Sequence, residues 1–410
     1  MYYGDILNLI LTMRYIAERK MQKKDNLQYM KLTTTICLLL IWNALVITPL
    51  PAAEADQATQ AIIKKLRLEE APEPVSRSPV WKKPEKILIT IPVQIQGRQQ
   101  ELLESLEEIV GDIEIVPLVL GFREEPDAAL LKDAEVFLGY CTPNIIKTAK
   151  KLRWLQHYGT GVDHCVLTPE IKDSNFILTN AQHTAGPPIA EHVIAMMMML
   201  TRNLHHFHTA QLNGKWERPT AVTSPIIEVG GKTMLVVGLG GIGTEVAKRA
   251  SALGMRVIAT RHSSREGPDY VDYVGLSDEL LTLAKQADVI VNALPLTKET
   301  MRIFNKKFFH VLKPGSYFIS IGRGKSTVTD DLIAALKDGS LAGAGLDVTD
   351  PEPLPPGHEL WTLPNVIITP HISWMTDKGF ERNWLVIREN LRRYINGEKL
   401  LNVVDIKRGY

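Results

Sequence analysis

Short apolar runs alternate with amphipathic stretches in two series, one on each side of a long apolar helix. In the first series, "KILITIPV" starts at Lys86 with the β-rich character of a buried strand. Strand-like "IEIVPLVL", "AEVFLGYC" and "RWLQHYG" follow, with helix-like "RQQELLESLEEIVG" and "NIIKTAKKL" between them. Such alternation predicts parallel strands joined by crossovers. The second series opens after Gly231 with the strand "TMLVVGL" and the helix "GTEVAKRASALG", closed by Gly254. The strands "MRVIAT", "ADVIVNAL" and "SYFISIG", the helix "DDLIAALKDG", and the runs "AGAGLDV" and "NVIITPH" complete it. Between the two series, "PPIAEHVIAMMMMLTRNLHHF" predicts one apolar helix with prolines at its entry, joining two halves.

The first third of the chain has a different texture. From Met30 it reads "MKLTTTICLLLIWNALVITPLPAAEADQ": a basic start at Lys31, an uncharged apolar stretch from Ile36 to Ile47, and Ala53-Glu54-Ala55. That three-part layout predicts a secretory signal over residues 1–55, cleaved after Ala55, and hence an exported, periplasmic protein. Arg14, Arg19, Lys20, Lys23 and Lys24 lie upstream and would hold that side in the cytoplasm. The alternatives for the apolar stretch are an uncleaved membrane anchor and a buried core helix, the alternative location is cytoplasmic, and residues 1–29 also fit an over-long gene start ahead of Met30. Beyond the signal, "EEAPEPVSRSPVWKKPEK" holds four prolines and many charges, which predicts a disordered linker over 56–85.

Composition narrows the class of function. A chain of 410 residues, 45% hydrophobic and 23% charged, can bury the cores of two medium domains. Lys plus Arg number 47 against 46 for Asp plus Glu, so no net field draws the molecule to nucleic acid or an anionic membrane. Small-molecule chemistry is the default. Cysteines stand only at 37, 141 and 165 without CxxC spacing, which excludes a disulfide scaffold and a zinc ribbon and leaves the redox compartment open. His205, His206 and His208 close a helix with no carboxylate or cysteine beside them and read as a solvated helix end, and Met196–Met199 as core filling or a subunit interface.

Gly238-Leu239-Gly240-Gly241-Ile242-Gly243 fits GxGxxG, and it lies between a predicted strand and a predicted helix, the context in which that motif binds a dinucleotide. Gly238 permits the tight turn, Gly240 lets the backbone approach the pyrophosphate, and Gly243 allows close helix packing. Such chains usually carry an acidic residue at the tip of the next strand, for the adenosine ribose. Here that tip is Arg261, followed by His262, Ser263 and Ser264. An arginine can fork onto a 2′-phosphate that an acid would repel, so the turn predicts NADP as the preferred cofactor, with NAD possible.

Five separated motifs carry a family resemblance: "YGTGVDH" (158–164), "VVGLGGIG", "ALPLTKET" (293–300), "LKPGSYFISIGRGKSTV" (312–328) and "LAGAGLDVTDPEPLPPGHELWTLPNVIITPHIS" (341–373). From about residue 86 onward the chain resembles the D-isomer-specific 2-hydroxyacid dehydrogenases, the family of glyoxylate/hydroxypyruvate reductases and phosphoglycerate dehydrogenase. The resemblance implies an α/β fold in which a Rossmann dinucleotide-binding domain, 184–372, is inserted in a flavodoxin-like, discontinuous substrate domain, 86–183 plus 373–410. It also implies a homodimer. By motif position, Gly161 and Val162 form the loop that binds the substrate carboxylate, and Arg323, Glu352 and His371 surround the nicotinamide. Asp347 would bond the nicotinamide carboxamide, and Leu294, Pro295 and Leu296 would line the cofactor cleft.

The residue types suit those roles. Reducing a 2-keto acid delivers hydride to the carbonyl carbon and a proton to its oxygen, where developing negative charge must be stabilised. His371 is suited to donate the proton, Glu352 to orient and charge the imidazole, and Arg323, between Gly322 and Gly324, to fork onto the carboxylate. The expected function is hydride transfer between NAD(P) and a small 2-keto or 2-hydroxy acid. The alternative is a nucleotide-sensing, non-catalytic binding protein of the same fold.

Overall fold

A computed structural model describes residues 52–121, 124–168, 170–171, 174–218 and 225–409. The chain divides into two units, Met1–Gln57 and Ala58–Tyr410. The expected signal, with its apolar stretch from Ile36, lies outside the described residues except for 52–55. All that follows concerns the second unit, apart from the first residues of helix α1 (Ala52–Leu66).

Two parallel sheets organise this unit. The first has the order β2-β1-β3-β4-β5, built from β1 (Lys86–Pro92), β2 (Glu114–Leu120), β3 (Val136–Gly139), β4 (Trp154–His157) and β5 (Ile177–Thr179). This 2-1-3-4-5 order is the flavodoxin-like one, with its switch point between β1 and β3. Pro117, which cannot donate to a ladder, sits in β2 at the sheet edge, where its missing N–H costs least. The second sheet, β12-β11-β10-β9-β6-β7-β8, is the Rossmann sheet. Its strands are β6 (Thr233–Val237), β7 (Arg256–Arg261), β8 (Tyr273–Leu276), β9 (Val289–Asn292), β10 (Ser316–Ser320), β11 (Leu341–Leu346) and β12 (Val366–Ile368). Its order reverses about β6, which opens a crevice at the carboxyl ends of β6 and β9.

The helices follow from spacing. In the helix over Gly241–Ala252 the buried residues are Gly243, Val246, Ala247 and Ala250, an i, i+3, i+4, i+7 stripe that packs on the Rossmann sheet. The predicted long connecting helix is two: Gly186–Thr201 and Leu204–Leu212, broken where Asn203 takes a left-handed φ of 54°. The first of these buries Met196 and Met197 in the Rossmann core, and Met196 lies where a side chain on Gly345 would stand. The last helix, Asp377–Ile395, begins at a cap in which Thr376 accepts from the Gly379 N–H. It buries Trp384, Ile387, Leu391 and Tyr394 against the first sheet, Tyr394 stacking on Trp154 with ring centroids 4.5 Å apart. Asn390 adds a buried hydrogen bond to Gln156 in β4.

The expected linker over 56–85 is corrected by the structure. Residues 58–66 are helical, and the stretch after them straps across the C-terminal helix. Leu66 and Leu68 pack on Val386 and Leu401, Ala71 N–H donates to Leu400 O, and Trp81 Nε1 donates to Tyr394 O at 2.8 Å. Arg393, buried, pairs with Glu70. Each buried leucine-sized side chain contributes about 1.5–3 kcal/mol, so a few spaced apolar residues order a stretch whose average composition looks disordered. Within it, Val75–Arg77 makes a 3-10 turn directly after Pro74.

Candidate active site

The carboxyl ends of β3 and β4 and the loop after β10 supply the charged cluster. After β4 comes the loop Tyr158–Asp163. Asn180 Nδ2 donates to Thr160 O, Ala181 N–H to Gly159 O, and Asn383 Nδ2, from the C-terminal helix, to Tyr158 O. Two elements, the segment after β5 and the C-terminal helix, therefore hold a loop that contains two glycines. Across from it, Arg323 leaves β10 between Gly322 and Gly324. A Cβ on Gly324 would lie 1.8 Å from Thr349 O and one on Gly322 2.6 Å from Leu294 O, so both flanks require glycine. The Arg323 guanidinium rests on Gly161, whose Cβ would stand 1.5 Å from Nη2. Arg323 Nε donates to Asp163 Oδ1 at 2.7 Å and Nη1 to Gly322 O at 2.9 Å. Asp163 belongs to the loop motif, where the sequence alone assigns it no role.

His371 and Glu352 meet as expected from their motif: His371 Nδ1 and Glu352 Oε1 are 2.8 Å apart, and both side chains are about one-third exposed. Burial alone would raise the Glu352 carboxyl, but the hydrogen bond and charge of His371, with Arg323 beyond, outweigh it and hold Glu352 below the usual carboxylate range. His371 has φ 56°, a left-handed conformation uncommon for a residue with a side chain. Asp347 braces it. That carboxylate, almost fully buried, accepts from Thr369 Oγ1 at 2.6 Å and from the Ile372 and Ser373 N–H groups at 3.0 and 3.1 Å. Asp347, expected to face the nicotinamide, thus has its oxygens engaged by the loop that carries His371.

The glycine turn has the form the motif requires. Gly238 has φ 98°, and a Cβ on Gly243 would lie 2.1 Å from Gly238 O. Gly240 caps the Gly241–Ala252 helix, and a Cβ there would meet nothing within 4 Å, so the helix start is open to an anion. Gly241 packs on His183, and Ile242 packs on the Rossmann core. Leu294, one residue past Ala293, touches the Gly238 turn; Leu296 is buried and Pro295 exposed. Thr260 O accepts from both Gly238 and Leu239 N–H, which sets the tip of β7 beside the turn. Arg261 ends that strand, its Nη1 donating to Glu266 O at 2.9 Å, with His262 and Ser263 exposed and Ser264 half-buried.

Beneath the Tyr158–Asp163 loop, Cys141 and Cys165 form a disulfide, both fully buried. Twenty-four positions separate them, and no spacing motif marks the pair. Only the fold, which sets the end of β3 beside the short helix Asp163–Val166, brings them together. The histidines 205, 206 and 208 join no cluster of three metal-binding side chains among the described residues.

A flavodoxin-like sheet, a Rossmann sheet with its glycine turn, and an arginine, glutamate and histidine at their strand ends define a dinucleotide-binding α/β protein of the dehydrogenase class. Residues 194–373 match the family model described as "D-isomer specific 2-hydroxyacid dehydrogenase, NAD binding domain". The chain is 32% identical over 314 residues to glyoxylate reductase of Pyrococcus furiosus, covering 75% of this chain and 87% of that one. It is 31% identical over 326 residues to D-3-phosphoglycerate dehydrogenase of Methanocaldococcus jannaschii, covering 78% of this chain but spanning only 59% of that protein's length. Among solved structures, an NADPH-dependent glyoxylate/hydroxypyruvate reductase of Sinorhizobium meliloti, in complex with NADP and sulfate, superposes with a TM-score of 0.64 at 26% identity. That match covers 79% of this chain and all of the other. The chain belongs to the D-isomer specific 2-hydroxyacid dehydrogenase family.

Proposed function

We propose that the protein is an NAD(P)-dependent reductase of small 2-keto acids, of the glyoxylate or hydroxypyruvate type, and that it prefers NADPH. The observation that carries this reading is the site itself: a guanidinium laid over a glycine loop, with a carboxylate-oriented imidazole from the far end of the Rossmann sheet. The open helix start at Gly240 and the side-chain-free turn at Gly238 and Gly243 fit a dinucleotide pyrophosphate. When bound, the nicotinamide supplies the hydride. Arg323 and the N–H groups of Gly161 and Val162 hold the substrate carboxylate. With Nδ1 engaged by Glu352, His371 presents Nε2 to the keto oxygen and gives up its proton there. Steady-state oxidation of NADPH and NADH with a panel of 2-keto acids tests the proposal. Tight cofactor binding without turnover of any of them would overturn it in favour of the nucleotide-sensing reading.

Cofactor choice rests on Arg261. Its position at the tip of β7 beside the glycine turn supports contact with an adenosine 2′-phosphate, with His262, Ser263 and Ser264 as further donors in the same turn. Hydrogen bonds to a charged group contribute roughly 1.5–3 kcal/mol each, so two favour NADPH by about a hundredfold or more. In Arg261→Asp the ratio of kcat/KM for NADPH to that for NADH falls by about that factor. Equal use of both cofactors by the unaltered protein, or no change in the variant, would count against the assignment. Two copies of the chain would pair, as the family implies; exposed Leu204, Leu212 and Trp216 on one helix and the loop after it supply apolar surface for that contact.

We also propose that the protein is exported. The basic start, apolar stretch and Ala-x-Ala site support it. So does the buried Cys141–Cys165 disulfide, a bond that persists in oxidising compartments. N-terminal sequencing of the protein from fractionated cells is expected to begin after Ala55; an intact Met30 in the cytoplasmic fraction would overturn the proposal.

A further inference from the structure

We infer that His192 is a positioning residue for the proposed proton donor: through Thr369 and Asp347 it fixes the loop that carries His371. The inference rests on the proposed keto-acid function and adds to it a residue on a different element, which acts only through its neighbours.

His192 lies on the helix Gly186–Thr201, one position before Val193. That helix buries Ile189, Val193, Met196 and Met197 in the Rossmann core, so packing fixes the point from which the imidazole projects. The Nε2 of His192 stands 2.9 Å from Thr369 Oγ1. The Thr369 hydroxyl has a single proton, and it goes to Asp347 Oδ1 at 2.6 Å. Toward His192 the hydroxyl can therefore only accept, and Nε2 must carry the hydrogen between them. The run of donors has one direction, from imidazole to hydroxyl and from hydroxyl to carboxylate. The imidazole is itself 3.9 Å from Oδ1, beyond a hydrogen bond, so it acts on the carboxylate through the hydroxyl.

The carboxylate at the end of this run has 1% of its side chain exposed, so its partners must come from the protein. Two of them, the Ile372 and Ser373 N–H groups at 3.0 and 3.1 Å, follow His371 in the chain. Thr369 precedes it. The Thr369 N–H donates to Leu346 O at the end of β11, and its carbonyl accepts from the His371 N–H at 3.0 Å. Asp347 thus ties residues 369, 372 and 373 to the strand end. His371 sits inside that tie, in a left-handed conformation at φ 56° that its surroundings have to hold. Without the donor from His192, only Asp347 itself fixes the Thr369 rotamer, and the bond to Oδ1 loses the polarisation that a donor behind the hydroxyl supplies. Loosening of the tie reaches the imidazole of His371 and leaves the substrate arginine alone, because Arg323 follows β10 and is held by Asp163 and Gly322.

The test reads the single-turnover rate of NADPH oxidation at saturating glyoxylate, beside the Kd of the unreactive analogue oxamate on the NADPH complex. In His192→Leu the rate falls about tenfold, while the oxamate Kd stays within about twofold of that of the unaltered protein. His192→Gln recovers most of the rate, since its side-chain amide can still donate to Thr369. Thr369→Val loses about as much as His192→Leu, and the two substitutions together lose no more than Thr369→Val alone. An undiminished rate in His192→Leu would overturn the inference. So would a matching loss in His192→Gln, a rise in oxamate Kd as large as the fall in rate, or losses that multiply in the double variant. An unaltered protein that binds NADPH but neither reduces glyoxylate nor binds oxamate would remove the keto-acid reading itself. An active one whose His192→Leu variant is equally fast would remove this inference alone.

Discussion

Replacing His371 with alanine lowers kcat for keto-acid reduction by about 10²- to 10⁴-fold, the usual worth of a positioned general acid. NADPH affinity stays within about twofold, because a bound cofactor is held chiefly at the glycine turn. The geometry makes the split: His371 stands on a left-handed residue braced by Asp347, with its Nδ1 on Glu352, and the Gly238–Gly243 turn is on other strands. Glu352→Gln has a different signature. The carboxylate is held ionised by His371 and Arg323 against the opposing effect of burial, and it accepts the bond that fixes the imidazole's orientation. The amide that replaces it can still accept from Nδ1, so kcat falls by no more than about tenfold, far less than in His371→Ala. Pre-steady-state rates of NADPH oxidation by the two variants, under the same conditions, measure both effects. An unaltered rate in His371→Ala would remove the proton-donor role.

Arg323→Ala loses on the order of 10²- to 10⁴-fold in kcat/KM, from two charge-assisted hydrogen bonds of about 1.5–3 kcal/mol each. Gly161→Ala reaches a comparable loss by a different route. The new Cβ would occupy a point 1.5 Å from Arg323 Nη2, so the guanidinium must leave the loop on which it rests. Displacement also strains its 2.7 Å bond to Asp163. Thermal unfolding of Gly161→Ala should change little, since the displaced group is a partly exposed side-chain end rather than core. Near-normal kcat/KM in Gly161→Ala would mean that the arginine reaches its substrate from elsewhere.

The Rossmann sheet was legible because its central strands are buried on both faces and read as unbroken Val, Ile and Leu, and because GxGxxG sits at a strand-to-helix junction. Arg323, Glu352 and His371 were legible through motifs at strand ends. Strands β5 and β8, three and four residues long, carry too little pattern to separate from loop. The strap over 67–85 defeated a compositional argument, since its order comes from a partner helix more than 300 positions away. Asp163 and the Cys141–Cys165 pair were missed for the same kind of reason. No local spacing marks them, and their roles exist only where β3, β4 and β10 converge.

The strap also sets an order of assembly. Every strand of the Rossmann sheet lies between Thr233 and Ile368, so that sheet can close as soon as this stretch has been synthesised. The flavodoxin-like sheet cannot. Its strands come first in the chain, yet Trp154 waits for Tyr394, and Glu70 waits for Arg393, 323 positions later. Contacts of such separation form late, because the loop they close is long. The half of the protein made first is therefore the half finished last, and until the final helix arrives it remains an open chain that a chaperone can still grip.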